Sequence, residues 1–327
     1  MGIHKVLLIT LAMLLLLGFR DLLNNSGLLF AETINRSRHF QSAIEWEGGL
    51  KDTGKSILVT GGASVNTFDS DLKGCEPTTV SNELLIPIFI LVRDRLSSLK
   101  LSIDSYRKFT SAHEIIVLDH NSTYPPMVEY LKNLTDTGEA QVHHIEAHDW
   151  DQVLKDSADY IESYLSTRVE IHYYVYTDAD VAFLRSAPDT LLFYAGVLSS
   201  CKHINVVGPQ LQISDIPDHY ANKPEVLVRH GQKQKFWITP PSMATWNKIG
   251  YHIGVHPIDT TFAMRRRGYP FARKQKPAVR AFAPHAAVHV DWYHNSSSPP
   301  EDLVYYKAHL EQPGVSHWRR LELKLEQ

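Results

Sequence analysis

Three pairs of aspartates separated by one residue stand in this 327-residue chain: Asp69/Asp71, Asp149/Asp151 and Asp178/Asp180. On an extended segment, residues i and i+2 point to the same side. Two carboxylates so placed offer oxygen ligands to a hard divalent cation such as Mn²⁺ or Mg²⁺. Such an ion keeps positions open for phosphate oxygens and, as a Lewis acid, neutralises charge on a departing diphosphate. Composition alone produces about one D-x-D in a chain of this kind, so the surrounding elements have to choose among the three.

Those elements are legible from Leu84 onward. LLIPIFILV (84–92) reads as a buried strand and SSLKLSIDSYRKF behind it as an amphipathic helix. EIIVLD (114–119) is a second strand, and YPPMVEYLKNL is a helix whose prolines fall in its first turn, where the missing N–H costs nothing. AQVHHIEA is a third strand. In DWDQVLKDSADYIESYLSTRV, Trp150, Val153, Leu154, Ala158, Ile161 and Leu165 share one helical face. Asp149 then stands at the N-cap and Asp151 in the acidic first turn, so the second D-x-D is capping chemistry. Asp69 and Asp71 fall in a polar stretch with no strand before them. IHYYVYT (171–177) is the fourth strand, and Asp178 and Asp180 follow its carboxyl end. Alternating strands and helices predict an α/β fold with an open, mostly parallel sheet flanked by helices in a single domain. Ligands bind such sheets beyond the strand carboxyl ends. The bland reading of Asp178 and Asp180 is an acidic strand end that caps a turn.

Composition bounds the partners. With 43% hydrophobic and 21% charged residues and a net charge of −3, the chain is an ordinary globular protein without the polybasic surface that nucleic acid requires. Two cysteines, Cys75 and Cys201, permit at most one disulfide. Val6 to Phe19 is an uninterrupted apolar run behind Lys5. As a helix it rises roughly 21 Å, short of a hydrocarbon core of about 30 Å. An uncleaved signal anchor is the favoured reading, ahead of a cleaved signal peptide and a buried core helix. Lys5 and the terminal amine place the N-terminus in the cytosol. The organisation read from this is a short cytosolic tail (1–5), a signal anchor (6–23), a stem (24–83) and the α/β domain (84–327). Five N-x-S/T sequons, at Asn24, Asn35, Asn121, Asn133 and Asn295, exceed the one or two expected by chance and agree with passage through the secretory pathway. Asn121 and Asn295 lie beside the proposed site loops, where glycans on both would block the cleft. SILVTGGASV (56–65) lacks the further glycines and the amphipathic helix of a dinucleotide-binding turn, and reads as a short strand or turn.

From about Ile86 to Tyr293, roughly two-thirds of the chain, the sequence resembles the GT-A-type glycosyltransferases, nearest in texture to the broad family 2 group. The pieces that carry the resemblance keep that family's order: PIFILVRDR, IIVLDHNST, YYVYTDADV, PIDTTFAMRR and AVHVDWY. The resemblance implies a metal-dependent transferase that moves a sugar from a nucleotide-sugar donor to a hydroxyl acceptor on a glycan, glycoprotein or glycolipid. The expected location is the Golgi or ER membrane, single-pass type II with the catalytic domain lumenal, or a secreted form if the N-terminal segment is cleaved. Carried over residue by residue, it implies that Asp119 hydrogen-bonds the base or ribose of the nucleotide and that Val92 and Arg93 lie beside it. Arg93 has an equal alternative as a surface ion pair with Asp94. Asp178 would touch ribose or metal, Asp180 would be the main metal carboxylate, and His289 would complete a site for Mn²⁺ or Mg²⁺, with His285 and His294 as weaker rivals. Asp259 stands where the family carries the base of an inverting displacement, although the usual acidic pair is here Ile-Asp. Asp215, with Asp218, is an alternative that also reads as turn or cap. Trp237, Trp246, Trp292 and Tyr293 are candidates for stacking on a sugar, against the commoner fate of aromatics in a core. Two other classes stay open: a sugar nucleotidyltransferase, disfavoured because VRDRLSSL contains no glycine, and a non-catalytic carbohydrate-binding protein on a transferase fold.

Overall fold

The structure is a computed structural model that describes residue 72 and residues 77–147, 149–232, 242–246, 249–269, 277–295 and 297–309, all within one compact unit spanning Ser64–Gln327. The expected anchor, most of the stem, the first D-x-D, SILVTGGASV, Cys75 and Trp237 lie outside the described residues. Among the described residues no helix is long and apolar enough to cross a membrane.

The first half alternates as the sequence predicts: β1 (Ile86–Val92), α1 (Leu96–Tyr106), β2 (His113–Asp119), α2 (Pro125–Thr137), β3 (Gln141–His144), α3 (Trp150–Ser166) and β4 (Tyr173–Asp178). β1 is parallel to both β2 and β4, and β2 is parallel to β3. Asp149 caps α3, its carboxylate accepting from the Gln152 amide at 3.0 Å. Gly138 closes α2 in the left-handed conformation, with φ at 70°. Successive strand residues enter opposite cores. Ile88, Ile90, Ile115, Val117 and Val175 join the residues of α1 and α2 on one face. Phe89, Leu91, Ile116, Leu118, Tyr174 and Tyr176 join Val153, Ile161 and Leu165 of α3 on the other.

The second half contains β5 (Val181–Ala182), α4 (Thr190–Ser200), β6 (Val206–Pro209), α5 (Lys223–Val226), a π-helical turn (Leu227–Gln232) and β7 (Ser242–Trp246). It continues through β8 (Ile249–Val255), β9 (Ala263–Arg266), β10 (Ala278–Ala281), β11 (Val288–His289), a 3₁₀ turn (Val290–Tyr293) and α6 (Glu301–Ala308). The main sheet has the order β3-β2-β1-β4-β9-β6-β10-β8-β7, and β5 pairs with β11 in a separate ribbon. The open α/β sheet flanked by helices is the expected class. Its parallel order is concentrated in β3-β2-β1-β4, because β9 runs antiparallel to both β4 and β6, and β8 antiparallel to both β10 and β7.

His285 illustrates a structural histidine. It is fully buried, stacked on Phe193 at 4.1 Å and hydrogen-bonded through Nδ1 to Thr190 Oγ1 at 3.1 Å. Burial lowers its imidazole to about 4. Above the ordinary value of about 6.5 it is neutral in both states and contributes nothing; below it, the unfolded chain binds a proton that the native state refuses. Stability should therefore fall between pH 6.5 and 4, by about 3 kcal/mol from this group. Urea unfolding of the wild type and His285→Phe at pH 7 and 4.5 checks this, because the variant should lose that part of the pH slope.

Candidate active site

The carboxyl ends of the first strands place the predicted residues side by side. Val92 pairs with Asp119 across β1 and β2, and Leu91 pairs with Asp178 across β1 and β4. Asp119 is buried; its Oδ2 lies 3.1 Å from His144 Nδ1 at the end of β3, while Oδ1 has no partner. Arg93 lies 4.0 Å from Asp94, at the limit of an ion pair. Asp94, at φ 52°, accepts from the amides of Thr123 and Tyr124 at 2.6 and 2.7 Å, which ties the loop after β1 to the start of α2. Asn121 donates its amide to Ala147 O at 3.2 Å, so its side chain holds a loop.

The D-x-D pair does not lie on one extended run. β4 ends at Asp178, and Ala179–Asp180 form a turn into β5. The two carboxylates therefore face different partners. Asp178 Oδ2 accepts from Thr260 Oγ1 at 2.6 Å, and the Asp178 amide donates to Thr260 O at 2.9 Å. Asp180 meets His289: the ribbon pairs His289 with Val181, the Val290 amide donates to Asp180 O at 2.7 Å, and His289 Nε2 stands 3.6 Å from Asp180 Oδ2. Asp180 Oδ1 is buried without a partner. Burial pushes the Asp180 carboxyl up, Asp291 adds to this, and His289 and Arg95 offset only part. Among the described residues no group of three His, Cys, Asp or Glu side chains is arranged to hold a metal ion. Asp180 and His289 do fit one as a pair. His289 Nε2 and Asp180 Oδ2 stand roughly as far apart as two donors each about 2.1 Å from a shared ion, and the unpartnered Oδ1 is a second oxygen of the same carboxylate that a cation would satisfy.

The turn is held by residues that sequence reasoning missed. Ser102 Oγ on α1 donates toward the carbonyls of Ala179 and Val181 at 2.8 and 3.0 Å, and Tyr106 OH donates to Val181 O. Ser105 Oγ accepts from the Phe183 amide at 3.0 Å. Serines on the buried face of an amphipathic helix, beside Leu99, Ile103 and Tyr106, were the signal available. Behind His289, the indole of Trp292 stacks at 4.7 Å and 6°. Trp292 is 1% exposed, so the proposed sugar platform supports an imidazole instead. Trp246 is likewise core, edge-on to Phe193.

The remaining candidates divide. Asp259 adjoins Thr260 and so reaches the site, yet its Oδ1 accepts from the Thr261 amide and hydroxyl at 3.1 and 2.6 Å. Burial raises its carboxyl, but Arg280 and these hydrogen bonds outweigh that and hold it below the ordinary range. A carboxylate so held is a poor proton acceptor. The same loop is conformationally forced: Phe262 has φ 57°, and a Cβ added to Gly208 would lie 2.3 Å from Phe262 O. Asp215 pairs with Arg185 and accepts from Tyr293 OH, and exposed Asp218 pairs with Lys223 at 2.6 Å. His294 Nε2 lies 3.3 Å from Asp291.

No protein-family model matches the chain, and no curated protein matches it by sequence. Solved structures to which the chain shows a likeness include a mannosyltransferase from Pyrobaculum calidifontis in complex with GDP-Man and Mn²⁺. It shares 14% identity at a TM-score of 0.35, over 58% of this chain and 46% of that one. A second is glucosyl-3-phosphoglycerate synthase from Mycobacterium tuberculosis with Mn²⁺, UDP-glucose and phosphoglyceric acid, at 13% identity and TM-score 0.30, over 64% and 63% of the two chains. A third is GalNAc-T7 with UDP, GalNAc and Mn²⁺, at 18% identity and TM-score 0.31, over 40% and 24%. The chain thus spans less than half the length of the first of these. Likenesses at TM-scores this low carry no argument about this chain.

Proposed function

We propose that the protein is a GT-A-type glycosyltransferase that moves a sugar from a nucleotide-sugar donor to a hydroxyl acceptor. The observation that carries this reading is the meeting of Asp180 with His289, 3.6 Å apart, beside the carboxyl ends of β1, β2 and β4. Asp180 and His289 are the side chains that would hold Mn²⁺ or Mg²⁺, and such an ion supplies Lewis-acid neutralisation of the departing diphosphate. Asp119, with its unpartnered Oδ1, accepts from the nucleoside beside Val92 and Arg93. Asp178 orients that edge through its bonds to Thr260. The serines of α1 keep the turn in place, so the carboxylate geometry exists before the donor arrives.

The proposed direction is inverting, on the strength of the family 2 resemblance, with a glycan, glycoprotein or glycolipid as acceptor. Asp259 as its base is the element that its surroundings oppose. The proposed location is the lumenal side of the Golgi or ER membrane, tethered by residues 6–23. Cys201 is disulfide-bonded. A bonded cysteine supports an oxidising compartment, as do the five sequons.

Incubating the purified protein with a panel of nucleotide-sugars, with Mn²⁺ and with EDTA, tests the reading. One donor should be hydrolysed or transferred only with the metal. Turnover of none of them, or turnover indifferent to EDTA, would overturn it.

A further inference from the structure

The loop after β1 and the turn after β11 lie far apart in the chain, yet a forked ion pair joins them. Arg95 Nη1 donates to Asp291 Oδ2 at 3.0 Å and Nη2 donates to Oδ1, with Ser98 Oγ a further 3.1 Å contact of Nη2. Each side chain is 10% exposed. Asn222 donates its amide to Asp291 O at 2.9 Å, and the Arg95 guanidinium lies 5.5 Å from the Tyr306 ring of α6. Asp302 of the same helix accepts from the Ser97 amide and hydroxyl at 3.0 and 2.9 Å, which fixes the start of α1.

Both ends of the pair lead to the candidate site. Arg95 directly precedes α1, whose Ser102 and Tyr106 hold the carbonyls on either side of Asp180. Asp291 follows His289 by two residues, in the 3₁₀ turn that begins at Val290. Fixing Asp291 therefore fixes where β11 delivers the imidazole. A buried ion pair adds little to folding compared with apolar side chains of similar volume, because both charges must be stripped of water. Its geometric information is what an apolar pair would lack.

We propose that Arg95 and Asp291 are positioning residues for a divalent-cation site formed by Asp180 and His289. The fork sets the separation of the two ligands and touches neither the ion nor the donor. This rests on the metal site proposed above and deepens it.

The test measures Mn²⁺ binding by the EPR signal of the free ion, alongside thermal unfolding without metal, on the full chain. Arg95→Met combined with Asp291→Leu removes both charges, and its metal-free melting should stay close to the wild type. Its Mn²⁺ affinity should fall about 10- to 100-fold, the usual effect of losing an outer-shell partner. Arg95→Lys keeps the charge but cannot fork, and should bind about ten-fold more weakly. Wild-type affinity in the folded double variant overturns the proposal. If the double variant fails to fold, Arg95→Lys decides: unchanged affinity overturns the proposal, and a ten-fold loss at unchanged melting supports it. Asp180→Asn separates the two levels. If it leaves Mn²⁺ binding intact, the metal site itself is misplaced; if it abolishes binding while the double variant binds normally, only the positioning role is lost.

Discussion

Replacing Asp180 by alanine is expected to lower metal-dependent donor turnover by about 10³-fold, the equivalent of several kcal/mol of lost charge stabilisation. The fold should not suffer with it. Asp180 is a largely buried carboxylate whose Oδ1 has no partner and whose carboxyl is pushed up by burial. Without metal its charge is a burden on the native state, so the metal-free variant should melt at or above the wild-type temperature. The difference should emerge on adding Mn²⁺. At 100 times its dissociation constant an ion that binds only the native state stabilises by about 2.7 kcal/mol, or roughly 5–10 °C for a domain of this size. The wild type should gain this shift and Asp180→Ala should not. Full Mn²⁺-dependent turnover in the variant would remove Asp180 from the site.

This expectation was readable in part from sequence, and the division has physical causes. β1, β2 and β4 are buried on both faces, so each appears as an apolar run, and the aspartates that end β2 and β4 stand out against it. The later strands β5, β6, β9, β10 and β11 have only two to four residues, too few to show a period. α4, TLLFYAGVLSS, is buried on nearly every side and so lacks the polar face that reveals a helix. The extended-strand rule that put Asp178 and Asp180 on one side failed because Ala179 and Asp180 turn, drawing Asp178 to Thr260 and Asp180 to His289. Arg95 and Asp291 gave no local signal at all. Arg95 stands in VRDRLSSL and Asp291 in AVHVDWY, 196 residues apart in the chain, and the fold alone brings them together.

Asp259→Asn is expected to destabilise the protein by about 3 kcal/mol, the low end for removing a charge that opposes a buried one. The reason is Arg280. Arg280 is 4% exposed, and its guanidinium donates to the carbonyls of Pro209 and Pro257 at 2.8 and 3.2 Å. Burial lowers its pKa, and Asp259 supplies the largest opposing effect. Melting should therefore drop by roughly 6–12 °C. A general base would behave otherwise: transfer would fall about 10²- to 10⁴-fold with stability and donor binding intact. Since Thr261 and Arg280 already hold the carboxylate below its ordinary range, turnover per folded molecule should stay within a few-fold of wild type. Adding Arg280→Met to Asp259→Asn should return part of the lost stability, because the buried charge that Asp259 opposes is then gone. A stable, inactive Asp259→Asn that still binds donor would instead make Asp259 the base and Arg280 incidental.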